Sequence, residues 1–501
     1  MDGAATGDRS RGRALGGVAR PALSGAGAAP DVPAELRGLL DAQRAAFARA
    51  EPDRRRRREA LATLRDALRA RQDDLVRAVS ADFGGRAREE TLLLELFPLY
   101  DQIRHARRHL RKWMRRRRVG SSWFLLPSRA FVMYQPLGVV GVIGAWNYQL
   151  LLTLSPVVDA LAAGNHVMLK PSEITPRTAS VISELIAEAF PAEYVTVVTG
   201  GSEVADAFSR LPFDHIVFTG SSRVGQLVMR AASENLTPVT LELGGKSPAI
   251  IHGEFPLRTA VERIITGKLL NAGQTCVAPD YVLLPRGREE EFARLAGDAV
   301  RRLYPKLVDS PDYTRMVSQR HYERLAAAVV DAAAKGARTE VINPAGEACS
   351  AENRVFAPTL VLGATDEMTV MREEIFGPVL PVVTYDALDD AIAFVNARPR
   401  PLALYYFDRD RRRIDTVLAR TISGGVTVND VIYHLGQHNL PFGGVGPSGM
   451  GHYHGFDGFE TLSKKKGVMV QSRLSALALV RPPYGPRARM LIDRIVRAAL
   501  R

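Results

Sequence analysis

Short apolar runs alternate with helical stretches through the middle of the chain, and this alternation constrains the fold more than any other feature. The runs occupy residues 166–172, 194–200, 215–220 and 237–245, and a stretch with helical periodicity follows each of the first three. Short strands separated by helices of this length indicate βαβ units, in which helices cover both faces of a parallel sheet. The sequence therefore predicts an α/β protein.

Polar residues and glycines stand where these strands end. Lys170 with Glu173 follows one strand, and Gly220 with Ser221 follows another. Ligands bind beyond the carboxyl ends of the strands in such sheets, so these residues are candidates for a binding site. Only nine of the 67 basic residues are lysines, which favours a functional reading of Lys170 over its alternative, a surface ion pair. The same rarity marks Lys246, to which we assign no chemical role.

FTGSSRVG, residues 218–225, places Gly220 and Gly225 at a strand-to-helix turn. The free N–H groups and the dipole at the start of a helix suit a pyrophosphate. Glycines are also common at turns that bind nothing, so a purely structural turn explains the motif equally well.

Composition narrows the class of protein. With 46% hydrophobic and 24% charged residues, the chain of 501 residues is typical of a globular protein. The net charge of +13 raises the question of nucleic acid, but the arginine run at 54–58 lies among leucines at helical spacing. That pattern indicates a solvated helix face and disfavours nucleic acid as a partner.

The two cysteines, Cys276 and Cys349, exclude a disulfide framework and cysteine-rich zinc sites. The histidines show no HExxH spacing, and we predict no metal. Unpaired cysteines are typical of a reducing compartment, so a cytoplasmic location is expected.

Two segments require separate interpretation. Residues 1–33 are rich in Gly, Ala, Arg and Pro and lack an apolar core, which predicts a disordered tail. Residues 131–158 carry no charge and could span a bilayer by length, but prolines, glycines and Asn147 interrupt them. A buried strand, a turn and a helix are the better prediction. Residues 34–118 have the periodicity of amphipathic helices.

Cys276 lies in GQTCVAPDY, and two interpretations compete for it. A lone free cysteine is more often a small apolar side chain in a core than a nucleophile. The sequence around it decides between these interpretations.

Seven motifs in order carry a resemblance to a known family. They are AWNYQLLL, LKPSE, FTGSSRVG, LELGGKSP, GQTCVAPDYVL, EEIFGPVLPV and LPFGGVGPSGMG. They lie between residues 145 and 451, and the chain resembles the aldehyde dehydrogenase superfamily over roughly residues 35–470. GQTCVAPDY and PFGGVGPSGMG are similar to the class 3 type, and especially to bacterial coniferyl aldehyde dehydrogenases. The resemblance favours the nucleophile over the core cysteine.

The resemblance implies specific roles. Cys276 corresponds to the nucleophile, Glu242 to the general base and Asn147 to a side-chain donor for the oxyanion. The residues implied in binding NAD or NADP are Lys170, Glu173, Gly220, Ser221, Gly225, Glu374 and Phe376. NAD is favoured, because the carboxylate of Glu173 would repel the 2′-phosphate of NADP.

The chemistry of aldehyde oxidation explains these residue types. An aldehyde can lose only hydride, so a nucleophile must first add to it, and a thiolate adds readily. Asn147 would stabilise the oxyanion, and Glu242 would activate the water that hydrolyses the thioester. Ala145 and Gln149 stand where the family commonly has prolines, which could loosen the oxyanion site. Trp146 and Tyr148 would line an aromatic substrate tunnel or belong to the core.

The resemblance also implies a domain organisation. A Rossmann-like NAD(P)-binding domain is expected over residues 34–244, with an oligomerisation hairpin at about 119–137. An α/β catalytic domain would follow at 245–444 and a small β oligomerisation segment at 445–470. A homodimer is the expected assembly.

The C-terminal tail, residues 471–501, ends in MLIDRIVRAALR, with apolar residues on one helical face and arginines on the other. This pattern suits a basic amphipathic helix on a membrane surface. Packing near the tunnel mouth, on the protein's own body or on a partner subunit are alternatives.

Oxidation of aromatic, coniferaldehyde-like substrates is the predicted function, and medium- or long-chain aliphatic aldehydes are the second prediction. Two other classes stay open at this point. A cofactor-independent thioester or ester hydrolase would use Cys276 and Glu242 without NAD. An inactive binding protein would use only the basic surface.

Overall fold

The computed structural model describes residues 32–473 and 475–500. The tail predicted at residues 1–33 lies outside the described residues, except that its last two residues begin the first helix. The α-helices are α1 (Val32–Arg49), α2 (Arg54–Ala70), α3 (Gln72–Phe83), α4 (Arg88–Thr91), α5 (Phe97–Trp113), α6 (Gln149–Ala163), α7 (Pro176–Ala189), α8 (Ser202–Ser209), α9 (Ser222–Ser233), α10 (Leu257–Leu269), α11 (Glu289–Leu303), α12 (Gln319–Ala334), α13 (Thr369–Arg372), α14 (Leu388–Asn396), α15 (Arg411–Arg420), α16 (Gly455–Thr461) and α17 (Pro486–Ala499).

The strands form three sheets. They are β1 (Arg117–Val119), β2 (Arg129–Pro136), β3 (Val139–Ile143), β4 (His166–Lys170), β5 (Val195–Val197), β6 (His215–Thr219), β7 (Val239–Glu242), β8 (Pro248–Ile251), β9 (Tyr281–Pro285), β10 (Arg338–Val341), β11 (Thr359–Leu362), β12 (Val379–Tyr385), β13 (Ala403–Phe407), β14 (Gly425–Val428), β15 (Gly449–Met450) and β16 (Ser463–Val470).

The first sheet has the order β15-β7-β6-β3-β4-β5, and its five longer strands are parallel. Alternate residues of β3 enter different cores: Val140 and Val142 pack with α2, α5 and α6, whereas Val139 and Ile143 pack on the other face. Burial on both faces explains why these strands are continuous apolar runs. The predicted parallel sheet is confirmed.

The second sheet has the order β10-β11-β12-β9-β8-β13-β14 and is parallel except for β10. The third sheet, β1-β2-β16, is antiparallel and pairs β2 with β16 over eight residues. The predicted 445–470 segment is divided in the structure. Its strand β15 pairs with β7 beside Glu242, helix α16 packs on α6, and only β16 joins the third sheet.

The region predicted as amphipathic helices forms α1 to α5, and the leucines of α2 form its buried face. Residues 131–158 form strand, turn and helix as predicted, with Pro156 inside α6. No helix in residues 32–473 and 475–500 combines the length and the apolar character needed to cross a membrane.

Candidate active site

Four adjacent strands of the first sheet bring the predicted residues to one edge. In the order β7-β6-β3-β4, these strands end at or just before Glu242, Ser221, Asn147 and Lys170. Parallel strands present their carboxyl ends at the same edge, so residues scattered over about a hundred positions line one crevice. Glu242, Asn147 and Lys170 are almost fully buried.

Cys276 lies in the loop between α10 and β9, and an unusual backbone positions this loop. Three consecutive residues have left-handed conformations, with φ of 53° at Asn271, 50° at Ala272 and 75° at Gly273. Such conformations are costly for residues other than glycine and persist only where surrounding contacts impose them. The loop therefore needs specific contacts to keep Cys276, which is partly exposed, in place.

Asn147 is tied directly to this loop. Its side-chain nitrogen donates a hydrogen bond to the backbone oxygen of Gln274 at 3.1 Å. Its backbone oxygen accepts one from the side chain of Asn271 at 3.0 Å. An amide nitrogen carries two hydrogens, so the second N–H of Asn147 can serve an oxyanion formed on a substrate held at Cys276.

Two carboxylates lie within electrostatic reach of the thiol. Burial, which is the largest cause, and the negative charges of Glu374 and Glu242 together raise the pKa of Cys276 to about 12. Burial also raises the pKa of Glu242 well above its ordinary value, and neither of its oxygens has a hydrogen-bond partner among the described residues. An unpaired carboxylate with a raised pKa suits a general base.

Glu374 lies between α13 and β12 and approaches the glycine pair after Glu242. A Cβ built on Gly244 would stand 2.3 Å and 2.4 Å from the two carboxylate oxygens, so only glycine allows this approach. Enclosure of the carboxylate and the charge of Asp280 raise the pKa of Glu374 to about 8.

Lys246, which the sequence singled out without a role, organises the loop that carries Glu374. Its ammonium donates to the carboxylate of Asp280, to Val370 O at 2.8 Å and to Glu373 O at 3.0 Å. Asp280 in turn accepts from the backbone N–H of Ile375 at 3.0 Å. Lys246 therefore acts on the backbone either side of Glu374.

The residues predicted to bind a dinucleotide fit that role. Lys170 is 1% exposed, and its ammonium donates to Glu173 at 2.9 Å. Burial opposes ionisation of Glu173, but its own backbone N–H and Lys170 outweigh burial and hold its pKa below the ordinary value.

The α9 start also suits a phosphate group. Ser221 caps the helix by accepting from Val224 N, which leaves the N–H groups of the two residues between them directed outward. A Cβ on Gly225 would stand 2.7 Å from Leu243, so the close packing of this turn on β7 depends on glycine.

Aromatic side chains surround the turn before α6. The rings of Trp146 and Phe376 lie 5.2 Å apart between centroids, and His321 lies 4.9 Å from Trp146. Tyr148 is buried, and its hydroxyl is 2.7 Å from the hydroxyl of Thr275, next to Cys276. Tyr148 therefore contacts the loop that carries Cys276 through a buried hydroxyl group.

Comparison with known proteins identifies the family. The model of the aldehyde dehydrogenase family matches residues 31–468. The chain belongs to the aldehyde dehydrogenase family. The resemblance inferred from the seven motifs is thereby confirmed.

Curated relatives and solved structures agree with this assignment. The chain is 50% identical over 464 residues to a probable coniferyl aldehyde dehydrogenase of Pseudomonas aeruginosa, covering 92% of this chain and 96% of the relative. It is 50% identical over 459 residues to one of Caulobacter vibrioides, covering 90% and 95%. Among solved structures, a substrate-bound Staphylococcus aureus AldH superposes with a TM-score of 0.86 at 38% identity, covering 91% and 99%.

This aldehyde dehydrogenase is an NAD(P)-dependent oxidoreductase, as the motifs predict. Among the described residues, one group has side chains that could hold a metal ion, His252, Glu254 and Asp408. The guanidinium of Arg413 already pairs with both carboxylates there, and its Nε lies 2.7 Å from Asp408. That group is an ion-pair cluster in the structure.

The sequence did not reveal a set of charged residues behind Asn147. Arg86, Glu90 and Glu95 belong to the region interpreted only as amphipathic helices, yet all three are buried. Their one signal is composition, because charged residues at buried helical positions need partners. Without the fold, those partners cannot be named.

Proposed function

We propose that this aldehyde dehydrogenase oxidises aromatic, coniferaldehyde-like aldehydes to carboxylic acids with NAD as the favoured acceptor. The observation that carries the chemistry is the convergence of Cys276, Glu242 and Asn147 at one sheet edge. Two relatives at 50% identity with the coniferyl name support the substrate class. A Pseudomonas sp. coniferyl aldehyde dehydrogenase, 48% identical over 81% of this chain, adds to that support.

The residues act in sequence. The Cys276 sulfur adds to the aldehyde carbon, and the N–H groups of Asn147 and of the Cys276 backbone stabilise the oxyanion of the thiohemiacetal. NAD, when bound, supplies the acceptor for the hydride that leaves the same carbon. The resulting thioester is hydrolysed by water that Glu242 deprotonates, and the thiol is released with the acid.

The preference for NAD follows from Glu173. Its side chain is 47% exposed at the sheet edge, and its lowered pKa keeps it ionised at neutral pH. A carboxylate accepts hydrogen bonds from ribose hydroxyls and repels a 2′-phosphate. Lys170, Ser221, Gly220 and Gly225 would complete the contacts to the dinucleotide.

Long aliphatic aldehydes are a second candidate class. The Staphylococcus aureus relative named 4,4′-diaponeurosporen-aldehyde dehydrogenase is 39% identical over 85% of this chain. That name denotes a polyene aldehyde, which supports long apolar aldehydes as the second candidate class. Of the two predicted tunnel residues, we assign Trp146 to the substrate channel, and Tyr148 contacts the loop of Cys276 through Thr275.

A direct assay separates these candidates. Reduced cofactor is measured with coniferaldehyde, benzaldehyde and decanal, each with NAD and NADP, for wild type and Cys276→Ala. Cys349→Ala is the matched control, because Cys349 is also partly exposed, packs in the cluster of Tyr313 and has no role in the proposed reaction. We expect turnover of coniferaldehyde with NAD that Cys276→Ala abolishes and Cys349→Ala retains. A higher kcat/KM for decanal would select the aliphatic class, and no reduced cofactor with any aldehyde would refute the proposal.

We also propose an assembly and a cellular location. Trp123 and Phe124, in the turn between β1 and β2, and Met469 and Val470, at the end of β16, are exposed. We propose that these apolar side chains contact a second copy of the chain in a homodimer. Unpaired cysteines agree with a cytoplasmic location.

We propose the domain assignment inferred from the sequence, except that the last segment is not a separate oligomerisation element. Residues 34–244 bind cofactor and 245–444 carry the nucleophile. The 445–470 segment serves both the cofactor sheet and the third sheet.

The structure of the C-terminal tail bears on whether it packs on the protein or contacts a membrane surface. No residue of α17 is buried, and Met490 and Val496 are exposed beside several arginines. We propose peripheral contact with an anionic membrane surface as the function of this helix. Flotation with anionic vesicles of the full chain, compared with a chain ending at residue 473, tests it. Equal flotation of the two chains would contradict it.

A further inference from the structure

Helix α6 begins directly after the Asn147 turn, and no residue near it in sequence caps its first turn. Tyr148 occupies the N-cap position and makes no side-chain capping bond. Gln149 follows, and both polar atoms of its side chain are buried with no hydrogen-bond partner among the described residues. The free N–H groups of a buried helix start need acceptors, so they must come from elsewhere in the chain.

Glu95 supplies the acceptor from a distant segment. Its Oε2 accepts from Leu150 N at 2.7 Å and from Leu151 N at 3.3 Å. Glu95 lies in the π-helical turn Leu92–Leu96, which interrupts the helical path between α4 and α5. Turns of this kind are rare and occur frequently at functional sites.

Arg86 connects this cap to Asn147 itself. Its Nη1 lies 2.7 Å from the other oxygen of Glu95 and donates to the backbone oxygen of Asn147 at 3.5 Å. Its guanidinium also lies over the ring of Tyr148, 5.0 Å from the centroid. Arg86 and Glu95 are both fully enclosed, so the pair makes these contacts in a low-dielectric interior.

Glu90 extends the same cluster to the nucleophile loop. One of its oxygens accepts from Asn271 N at 3.0 Å, and the other accepts from the Thr314 hydroxyl at 2.6 Å. Asn271 is the first of the left-handed residues before Cys276 and donates to Asn147 O. The segment 86–95 thus touches both sides of the oxyanion site.

We propose that Arg86 and Glu95 are positioning residues that hold Asn147 in the geometry of an oxyanion donor. From a distant segment they fix the backbone around Asn147, as prolines at positions 145 and 149 would do. Ala145 and Gln149 can therefore stand at those positions without loosening Asn147. The proposal rests on the proposed role of Asn147 in aldehyde oxidation. According to this proposal, Glu95 affects the reaction by positioning Asn147 and does not change the reactivity of the Cys276 thiol.

Two reactions of the same thiol test it. Acylation of Cys276 by p-nitrophenyl acetate passes through an oxyanion before the C–O bond breaks and nitrophenolate leaves, whereas alkylation by iodoacetamide displaces iodide and forms no oxyanion. Asn147→Ala should lower acylation by about 10²–10³-fold, the usual loss of one oxyanion donor, and leave alkylation within about twofold. Glu95→Gln should lower acylation by about tenfold or more, with alkylation again within about twofold.

A double-mutant cycle adds the decisive comparison. If Glu95 acts through Asn147, then Glu95→Gln in the Asn147→Ala background should change acylation by less than about twofold. Gln149→Pro should recover part of the loss in the Glu95→Gln variant, because proline fixes the first helical residue. Exposed Glu89→Gln is the matched control and should match wild type in both reactions.

Several results would overturn the proposal. Equal losses in acylation and alkylation would indicate general loosening, and additive losses in the double mutant would indicate an independent role. Unchanged acylation in Glu95→Gln would remove the effect itself. If Glu95→Gln does not fold, Glu95→Asp, which keeps the charge but withdraws it from Leu150 N, is measured in the same way. Normal acylation without any NADH formation would refute the proposed function while leaving the positioning role intact.

Discussion

Replacement of Glu374 by glutamine should change the reactivity of Cys276 only above about pH 8. Glu374 is the first charge that raises the pKa of the thiol, and its own pKa is about 8. At pH 7 it is about nine-tenths protonated, and its removal should alter the thiol little. At pH 9.5 it is ionised, and the glutamine variant should react faster.

The magnitude follows from the two pKa values. With a pKa of about 12, roughly 10⁻⁴ of the Cys276 thiol is ionised at pH 8, against roughly a quarter of an ordinary cysteine with a pKa near 8.5. The higher nucleophilicity of the more basic thiolate recovers about 40-fold of that difference. Free wild-type enzyme should therefore be alkylated about 60-fold more slowly than free cysteine at pH 8. Each unit by which Glu374→Gln lowers the pKa should give about a threefold gain.

Iodoacetamide labelling of Cys276 from pH 6.5 to 10, followed by peptide mass spectrometry, measures these rates. Cys276→Ser identifies the labelling that belongs to Cys349, and Glu373→Gln, an exposed neighbour, is the matched control. A wild-type rate that reaches a plateau with a midpoint below pH 8 would contradict the raised pKa. The same gain at pH 7 as at pH 9.5 in Glu374→Gln would contradict the titration assigned to Glu374.

Three further predictions concern neighbouring residues. Gly244→Ala places a Cβ where the Glu374 carboxylate lies, so KM for NAD should rise about tenfold in steady-state kinetics with the melting temperature within a few degrees of wild type. Glu242→Gln should slow the first turnover as well as steady-state oxidation, the latter by about 10²–10⁴-fold, when reduced cofactor is followed in rapid-mixing and steady-state assays. Lys268 is buried without a hydrogen-bond partner among the described residues, and burial lowers its pKa to about 8. Between pH 8 and 10.5 the unfolded chain therefore binds more protons than the folded chain. The free energy of unfolding of wild type, measured by urea titration, should rise by up to about 3 kcal/mol over that window relative to that of Lys268→Met. The same pH dependence in wild type and Lys268→Met would contradict this.

The sheet edge could be predicted from sequence because it depends on local patterns. The apolar runs fix where strands end, and parallel pairing then brings the ends together, so Lys170, Ser221 and Glu242 become neighbours without any knowledge of side-chain contacts. The resemblance added Cys276, which the patterns alone left as a core residue. Lys246 shows the limit of this approach: its rarity marked it, but its bonds to Asp280 and to the loop before Glu374 depend on the tertiary fold.

The residues behind Asn147 could not be predicted, for a physical reason. Arg86 and Glu95 are charged, and charges at helical spacing are typical of a solvated face. Their burial depends on the π-helical turn and on the start of α6, and no local pattern in the sequence predicts either feature. The left-handed backbone of Asn271 and Ala272 could not be predicted either. Contacts from Glu90 and Asn147 impose a conformation that the side chains of these residues do not favour.

The two carboxylates near Cys276 bear on how its proton leaves. Ionising the thiol beside Glu374 and Glu242 would add a negative charge to a site where carboxylates already have raised pKa values. Transfer of the proton from Cys276 to Glu242 avoids that cost, because the net charge of the site is unchanged. The burial that makes the thiol a poor acid therefore makes Glu242 a suitable acceptor. We expect Glu242 to accept this first proton as well as the later proton from water, which couples addition and hydrolysis through one carboxylate.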